Sequence, residues 1–180
     1  LNRRELLRAV GGAAALSFVP RGAQGAWLRV ASGRPPAGGL SEQQLALVGA
    51  VADTIIPRTD TPGATDVGVP AWVNVIFAEY YTDAERASFV AGLEAIDAEA
   101  RSQGLDSFVS LPADAQGARL AAFDRPADRQ APAARAFARL KGLVVHGYFT
   151  SERVHKEVLK VEIMPGRFDG AAPMPTRGSR

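Results

Sequence analysis

The chain has 180 residues. That length, less an export leader, makes one domain able to bury about two-thirds of the surface its unfolded chain exposes. It has no cysteine, which excludes disulfide staples and every thiolate-based metal or haem-attachment site. The net charge of +2 and pI near 9.3 combine three unlike segments: residues 1–39 hold six arginines against one acid, 40–134 six basic against fourteen acidic groups, and 135–180 nine basic against four acidic. With the basic excess confined to the two ends, a nucleic-acid-binding body is excluded, and the asymmetry reads either as a docking surface or as an ordinary solvated face.

The N-terminus reads Asn2-Arg3-Arg4-Glu5-Leu6-Leu7-Arg8, followed by a weakly apolar stretch from Ala9 to Val19. A basic region ahead of about eleven apolar residues is too short to span a bilayer and has the proportions of a signal peptide. The adjacent Arg3 and Arg4, with Leu6 and Leu7 behind them, point to a twin-arginine export signal over residues 1–25. Ala23-Gln24-Gly25 is a small-x-small pattern, so cleavage after Gly25 is expected, with a retained anchor as the alternative. Gly11 and Gly12 weigh against a buried first helix, because each costs about 1 kcal/mol relative to alanine. Residues 26–39 end in Gly33-Arg34-Pro35-Pro36-Ala37-Gly38-Gly39 and show no apolar period, which predicts a flexible linker.

A helical domain is expected over residues 40–160. Ser41 with Gln44 forms a capping box, and Leu45, Val48, Val51 or Ala52, and Ile55 share a face until Pro57. The loop from Arg58 to Val69 leads to Pro70 at a helix start. The next segment, Ala71 to Tyr81, sets Trp72, Val73, Ile76, Phe77 and Tyr80 at helical spacing. Thr82 and Glu85 form a second capping box ahead of a long helix whose stripe is Phe89, Leu93, Ile96 and Ala100, closed by Gly104. Pro112 opens a helix with Leu120 and Phe123 facing inward. After a linker from Asp124 to Pro132, a fifth helix from about Ala133 carries Phe137, Leu140, Val144 and Tyr148, and Ser151 caps a shorter sixth. Pro165, Gly166, Gly170, Pro173 and Pro175 forbid regular structure, so residues 161–180 read as an extended tail. The predicted fold is all-α: a compact bundle of about five to six helices with that Pro/Gly-rich tail.

Chemistry-bearing motifs are sparse. No Gly-x-Gly-x-x-Gly fingerprint follows a strand pattern, no phosphate loop is present, and no nucleophile elbow occurs. The two histidines, His146 and His155, are nine residues apart and read as structural or interface residues, not ligands. The acid pairs Glu94 with Asp97 and Asp53 with Asp60 sit in solvated contexts. The aromatic cluster Trp72, Phe77, Tyr80 and Tyr81 reads equally as core and as a contact face for a partner. No catalytic, metal or cofactor-binding residue is therefore assigned.

Three blocks of sequence resemble the gluconate 2-dehydrogenase subunit 3 family. The first is Leu40-Ser41-Glu42-Gln43-Gln44 with Ala52-Asp53-Thr54-Ile55-Ile56-Pro57-Arg58-Thr59-Asp60-Thr61-Pro62-Gly63-Ala64. Gly68-Val69-Pro70 and the Phe108–Gln116 segment follow, and Gly147-Tyr148-Phe149-Thr150-Ser151-Glu152 with Pro165-Gly166-Arg167-Phe168-Asp169-Gly170 and Pro173 close the series. The chain departs from the family's pattern at Lys160-Val161-Glu162, where an aromatic is frequent, and at Ala171, where some members place a cysteine. The resemblance implies a small, non-catalytic subunit that binds no cofactor itself. Its partner would be a larger FAD-containing oxidoreductase of the glucose-methanol-choline type, which oxidises a sugar or sugar acid and passes electrons to a cytochrome c subunit. It further implies a periplasmic location, association with the membrane through the complex, and an escort role in which the small subunit lends its twin-arginine signal to the flavoprotein. Interface residues expected on this basis are Trp72, Tyr81, Tyr148, Phe149, Arg167 and Phe168. Two other readings stand beside it: tail or loop residues (Phe168, or Thr59 to Gly63) completing a composite active site, and a free periplasmic helical module that binds a ligand in an apolar pocket.

Overall fold

A computed structural model of the chain describes residues 25–102, 107–125 and 131–160, and every structural statement below concerns those residues. Their regular structure is all helical, with no strand among them. In chain order the helices are α1 (Ala26–Ala31), α2 (Glu42–Ile55), α3 (Val69–Val75), α4 (Asp83–Arg101), α5 (Ala113–Phe123) and α6 (Pro132–Thr150). α3 runs on without a break into a π-helical turn, Ile76–Tyr80, and a second π-helical segment, Val154–Leu159, follows α6. The all-α fold read from the sequence is the one observed.

Local chemistry sets the helix starts. The Ser41 hydroxyl accepts from the Gln44 backbone N–H while the Gln44 side chain accepts from the Ser41 N–H, and Thr82 with Glu85 repeats the device at α4. Two of the four orphan donors at each helix end are thereby satisfied. At α3 the cap is Gly68, held at φ 82°, a left-handed conformation that a side chain resists, and Pro70 sits in the first turn. α6 likewise begins on Pro132.

The predicted stripes of α4, α5 and α6 are the buried ones: Phe89, Leu93, Ile96 and Ala100; Leu120 and Phe123; and Phe137, Leu140, Val144 and Tyr148. On α2 the register differs by part of a turn. Leu47, not Leu45, is buried beside Val48, Val51 and Ala52, because α2 is covered from more than one side by α3, α4, α5 and α6. α6 is the hub: it packs on α2, α3, α4, α5 and the Val154–Leu159 segment, and its buried residues run round more than one face. No helix among the described residues is long and apolar enough to cross a membrane.

One segment corrects the sequence reading. The expected linker over residues 26–39 begins with a helix, α1, which packs against α3. Ala26 is fully buried and Trp27 and Val30 lie half-buried against the core. Six residues hold fewer than two turns, too few to display a period, and the helix is held by tertiary contact instead of by its own propensity. The leader, the Gly104 helix end, part of the Asp124–Pro132 linker and the tail lie outside the described residues.

Candidate partner interface

α1, α3 and the end of α6 meet in an aromatic stack. The Trp27 ring lies on Trp72 with centroids 6.1 Å apart and planes at 26°, and the His146 ring also packs against Trp72, tilted by 35° at 5.6 Å. Gly147 makes room: a Cβ there would stand 2.9 Å from Trp72 Cε3. Trp27 Nε1 donates to Thr150 Oγ1 at 3.0 Å, whereas Trp72 Nε1 is buried with no hydrogen-bond partner. Burial holds the His146 imidazole below its ordinary pKa, so the ring stays neutral where an exposed histidine titrates.

Placed in this fold, three of the expected interface residues are core residues. Trp72 is 1 % exposed, packed against Trp27 and His146. Tyr81 is 5 % exposed, edge-on to Phe89, with the Arg139 guanidinium 4.3 Å from its ring centroid and Arg139 Nε donating to its hydroxyl at 3.3 Å; burial pushes the phenol up. Tyr148 is 4 % exposed and its hydroxyl donates to the Pro62 carbonyl at 2.8 Å. The physical reason is common to all three: a bundle covered from several sides buries its large aromatics, and the two tyrosine hydroxyls find partners inside while the Trp72 indole N–H does not. A surface-contact role for Trp72, Tyr81 and Tyr148 is therefore corrected to a packing role. Phe149 is different. It stands edge-on to Tyr148 at 5.3 Å and is 48 % exposed. Arg167 and Phe168 lie outside the described residues.

Two exposed apolar side chains escaped the sequence reading: Leu28, 77 % exposed on α1, and Val109, 44 % exposed before α5. The Trp27–Thr150 hydrogen bond brings the chain neighbours of Leu28 and Phe149 together at one end of the molecule. A groove of about 390 Å³ opens beside them, lined by Trp27, Val30 and Val67 together with Glu152, Arg153 and Lys156. The presence of Trp27 three residues before Val30 was the available signal, masked by the Gly/Pro run that follows.

The acids and the second histidine hold loops in place. Asp66 accepts from the Arg58 guanidinium and from the Gly63 N–H at 2.8 Å, and these contacts lower its carboxyl to about 2. Asp53 accepts from the Thr65 N–H at 3.0 Å and from the Thr65 hydroxyl. Asp97 accepts from the Phe108 N–H at 2.8 Å. His155 Nε2 lies 2.6 Å from the Phe149 carbonyl oxygen. Arg153 donates to the Asp66 carbonyl at 3.2 Å, linking the loop to the chain after α6. Among the described residues no three His, Asp or Glu side chains gather as metal ligands would.

No curated protein and no solved structure matches the chain. The sequence model of one family, described as gluconate 2-dehydrogenase subunit 3, matches residues 42–166, from the first turn of α2 into the tail. The matched span takes in the whole of α2, the clamped Arg58–Gly68 loop and the whole of the α6 hub, and it covers well over half the chain: the protein belongs to the gluconate 2-dehydrogenase subunit 3 family.

Proposed function

We propose that this chain is the non-catalytic accessory subunit of an FAD-dependent dehydrogenase of the glucose-methanol-choline type. In this reading the flavin and the sugar or sugar-acid chemistry reside in the larger partner, with a cytochrome c subunit as electron acceptor. The small subunit travels to the periplasm on its own twin-arginine signal (Arg3, Arg4, Leu6, Leu7), brings the flavoprotein with it, and stays bound at the membrane within the complex. The observation that carries the reading is the family match over residues 42–166. The use of side chains supports it: Asp53, Asp66, Asp97 and His155 are each engaged in fixing a loop, while Phe149 and Leu28 are left in solvent at one end of the bundle. Exposed aromatic and aliphatic side chains on a rigid support are what a docking face needs.

The test is co-expression of the chain with its flavoprotein, with and without an Arg3→Lys/Arg4→Lys change in the leader. The expected result is active flavoprotein outside the cytoplasm with the native leader and flavoprotein retained in the cytoplasm with the altered one. Export of a stable, fully active flavoprotein in the absence of this chain refutes the escort role.

A second reading has one observation in its favour. The Thr59–Gly63 loop is exposed at Thr59 and Asp60 yet clamped from below by Asp66 and Tyr148, and loops held on a rigid scaffold often carry function. If this loop or the tail completes a composite site, removing residues 165–180, or altering Asp60, abolishes turnover while the complex stays assembled.

A further inference from the structure

We infer that the folded body shields the processing site of its own leader, so that the leader is retained for as long as α1 stays docked. This rests on the reading of residues 1–25 as an export leader. The small-x-small pattern Ala23-Gln24-Gly25 puts the bond to be cut between Gly25 and Ala26. Both residues are part of the folded structure. Gly25 has helical torsions, φ −71° and ψ −13°, as the first residue of the α1 turn, and an added Cβ would stand 3.4 Å from the Tyr80 hydroxyl. Ala26, on the other side of the bond, is fully buried.

A peptidase takes its substrate as an extended strand, at about 3.3 Å per residue, and needs access to both sides of the bond. A helical turn advances only about 1.5 Å per residue, so α1 must undock and unwind before it can be cut. Three contacts hold it down. The Trp27 ring stacks on Trp72, Trp27 Nε1 donates to Thr150, and the Arg29 guanidinium grips both carboxylate oxygens of Glu79 at 2.7 to 3.1 Å. These partners come from α3, the π-helical turn and the end of α6, the last 123 residues further along the chain. The shield therefore exists only after the whole body has folded. A nascent or unfolded chain offers the bond freely; a chain carried across a membrane already folded arrives with it covered, and keeps Arg3, Arg4 and the apolar stretch after them attached.

The full-length chain with its leader, purified in detergent, is incubated with a leader peptidase and followed by intact mass. Hydrogen exchange over residues 26–32 reports α1 docking and circular dichroism reports the body. The comparison is a Trp27→Ala/Arg29→Ala variant, which removes all three contacts. Wild type is expected to be cut at least about a hundredfold more slowly than the variant, since cleavage follows the population of the locally open form. The product of the variant is expected to begin at Ala26. Equal rates for the two overturn the shielding. A variant whose α1 exchanges freely over an intact body, yet is not cut after Gly25, shows that this bond is no processing site; the cleavable-leader reading then fails, and the shielding with it. Should the double variant lose its fold, Arg29→Ala alone serves: its side chain is 44 % exposed and leaves the stack in place. A cleavage rate above that of wild type is then expected, and an unchanged rate counts against the proposal.

Discussion

The crossing of α4 and α6 has no room for a methyl group, and filling it has a calculable consequence. An alanine at position 92 would set its Cβ 2.6 Å from the Ala136 Cβ, and Ala136 Cβ is fixed to the α6 backbone, so no rotamer change relieves the clash. Carbon atoms in contact stand about 3.5–4.0 Å apart, so the two helices must separate by about 1 Å, and a gap of that size forfeits up to about half of each dispersion contact beside it. Overpacking of this kind costs about 1–3 kcal/mol. Against it stands about 1 kcal/mol gained by replacing glycine with alanine in a helix. Gly92→Ala is therefore expected to destabilise the protein by up to about 2 kcal/mol. Ala136→Gly, which gives up helix propensity, costs about 1 kcal/mol alone. In the double variant the methyl group is carried by α4 instead of α6 and the propensities cancel. It is expected within about 0.5 kcal/mol of wild type, a coupling of about 2 kcal/mol. Urea unfolding followed by far-ultraviolet circular dichroism measures all four members of the cycle. A double variant equal to the sum of the singles refutes the close approach.

Three further perturbations probe other parts of the account. The Asp66 carboxyl is lowered to about 2 by Arg58 first and the Gly63 N–H second, below its ordinary value near 4. Its contribution to stability is thus fully present above about pH 4 and lost as pH falls toward 2. Asp66→Asn is expected to flatten that part of the acid-unfolding profile, and an unchanged profile would remove the clamp from the account. Tyr148→Phe removes the hydrogen bond to Pro62 and is expected to cost about 0.5–1.5 kcal/mol, with faster hydrogen exchange at the Thr61 and Gly63 amides; exchange unchanged at those two counts against the tether. Phe149→Asp and Leu28→Asp alter exposed side chains, so melting temperature is expected to hold while affinity for the flavoprotein falls at least about tenfold, as for a contact of about 1.4 kcal/mol or more. Unaltered affinity in both would move the docking face elsewhere.

What could be read in the sequence follows from how local each signal is. Capping boxes at Ser41 and Thr82 are four-residue devices, complete in themselves, and both helices begin where those residues say. The stripes of α4 and α6 are long enough for their period to be unambiguous. α1 was not legible because its stability resides in Trp72, Thr150 and Glu79, all distant in sequence. The interface residues failed in a related way. Trp72, Tyr81 and Tyr148 have the composition of a contact hot spot, but burial decides between core and surface, and burial depends on what α1, α4 and the Pro62 loop place over them. Of the two neighbouring aromatics at the end of α6, Tyr148 turns in, with its hydroxyl on the Pro62 carbonyl, and Phe149 stays half-exposed.

The proposed flavoprotein partner is the centre of the account, and one measurement addresses it directly. The chain and its flavoprotein are purified separately, examined for visible flavin absorption and gluconate oxidation, then mixed and sedimented. The account predicts a colourless, inactive small chain that joins the flavin-bearing partner in a single complex of fixed stoichiometry. A small chain that is yellow on its own, or that oxidises gluconate unaided, contradicts it.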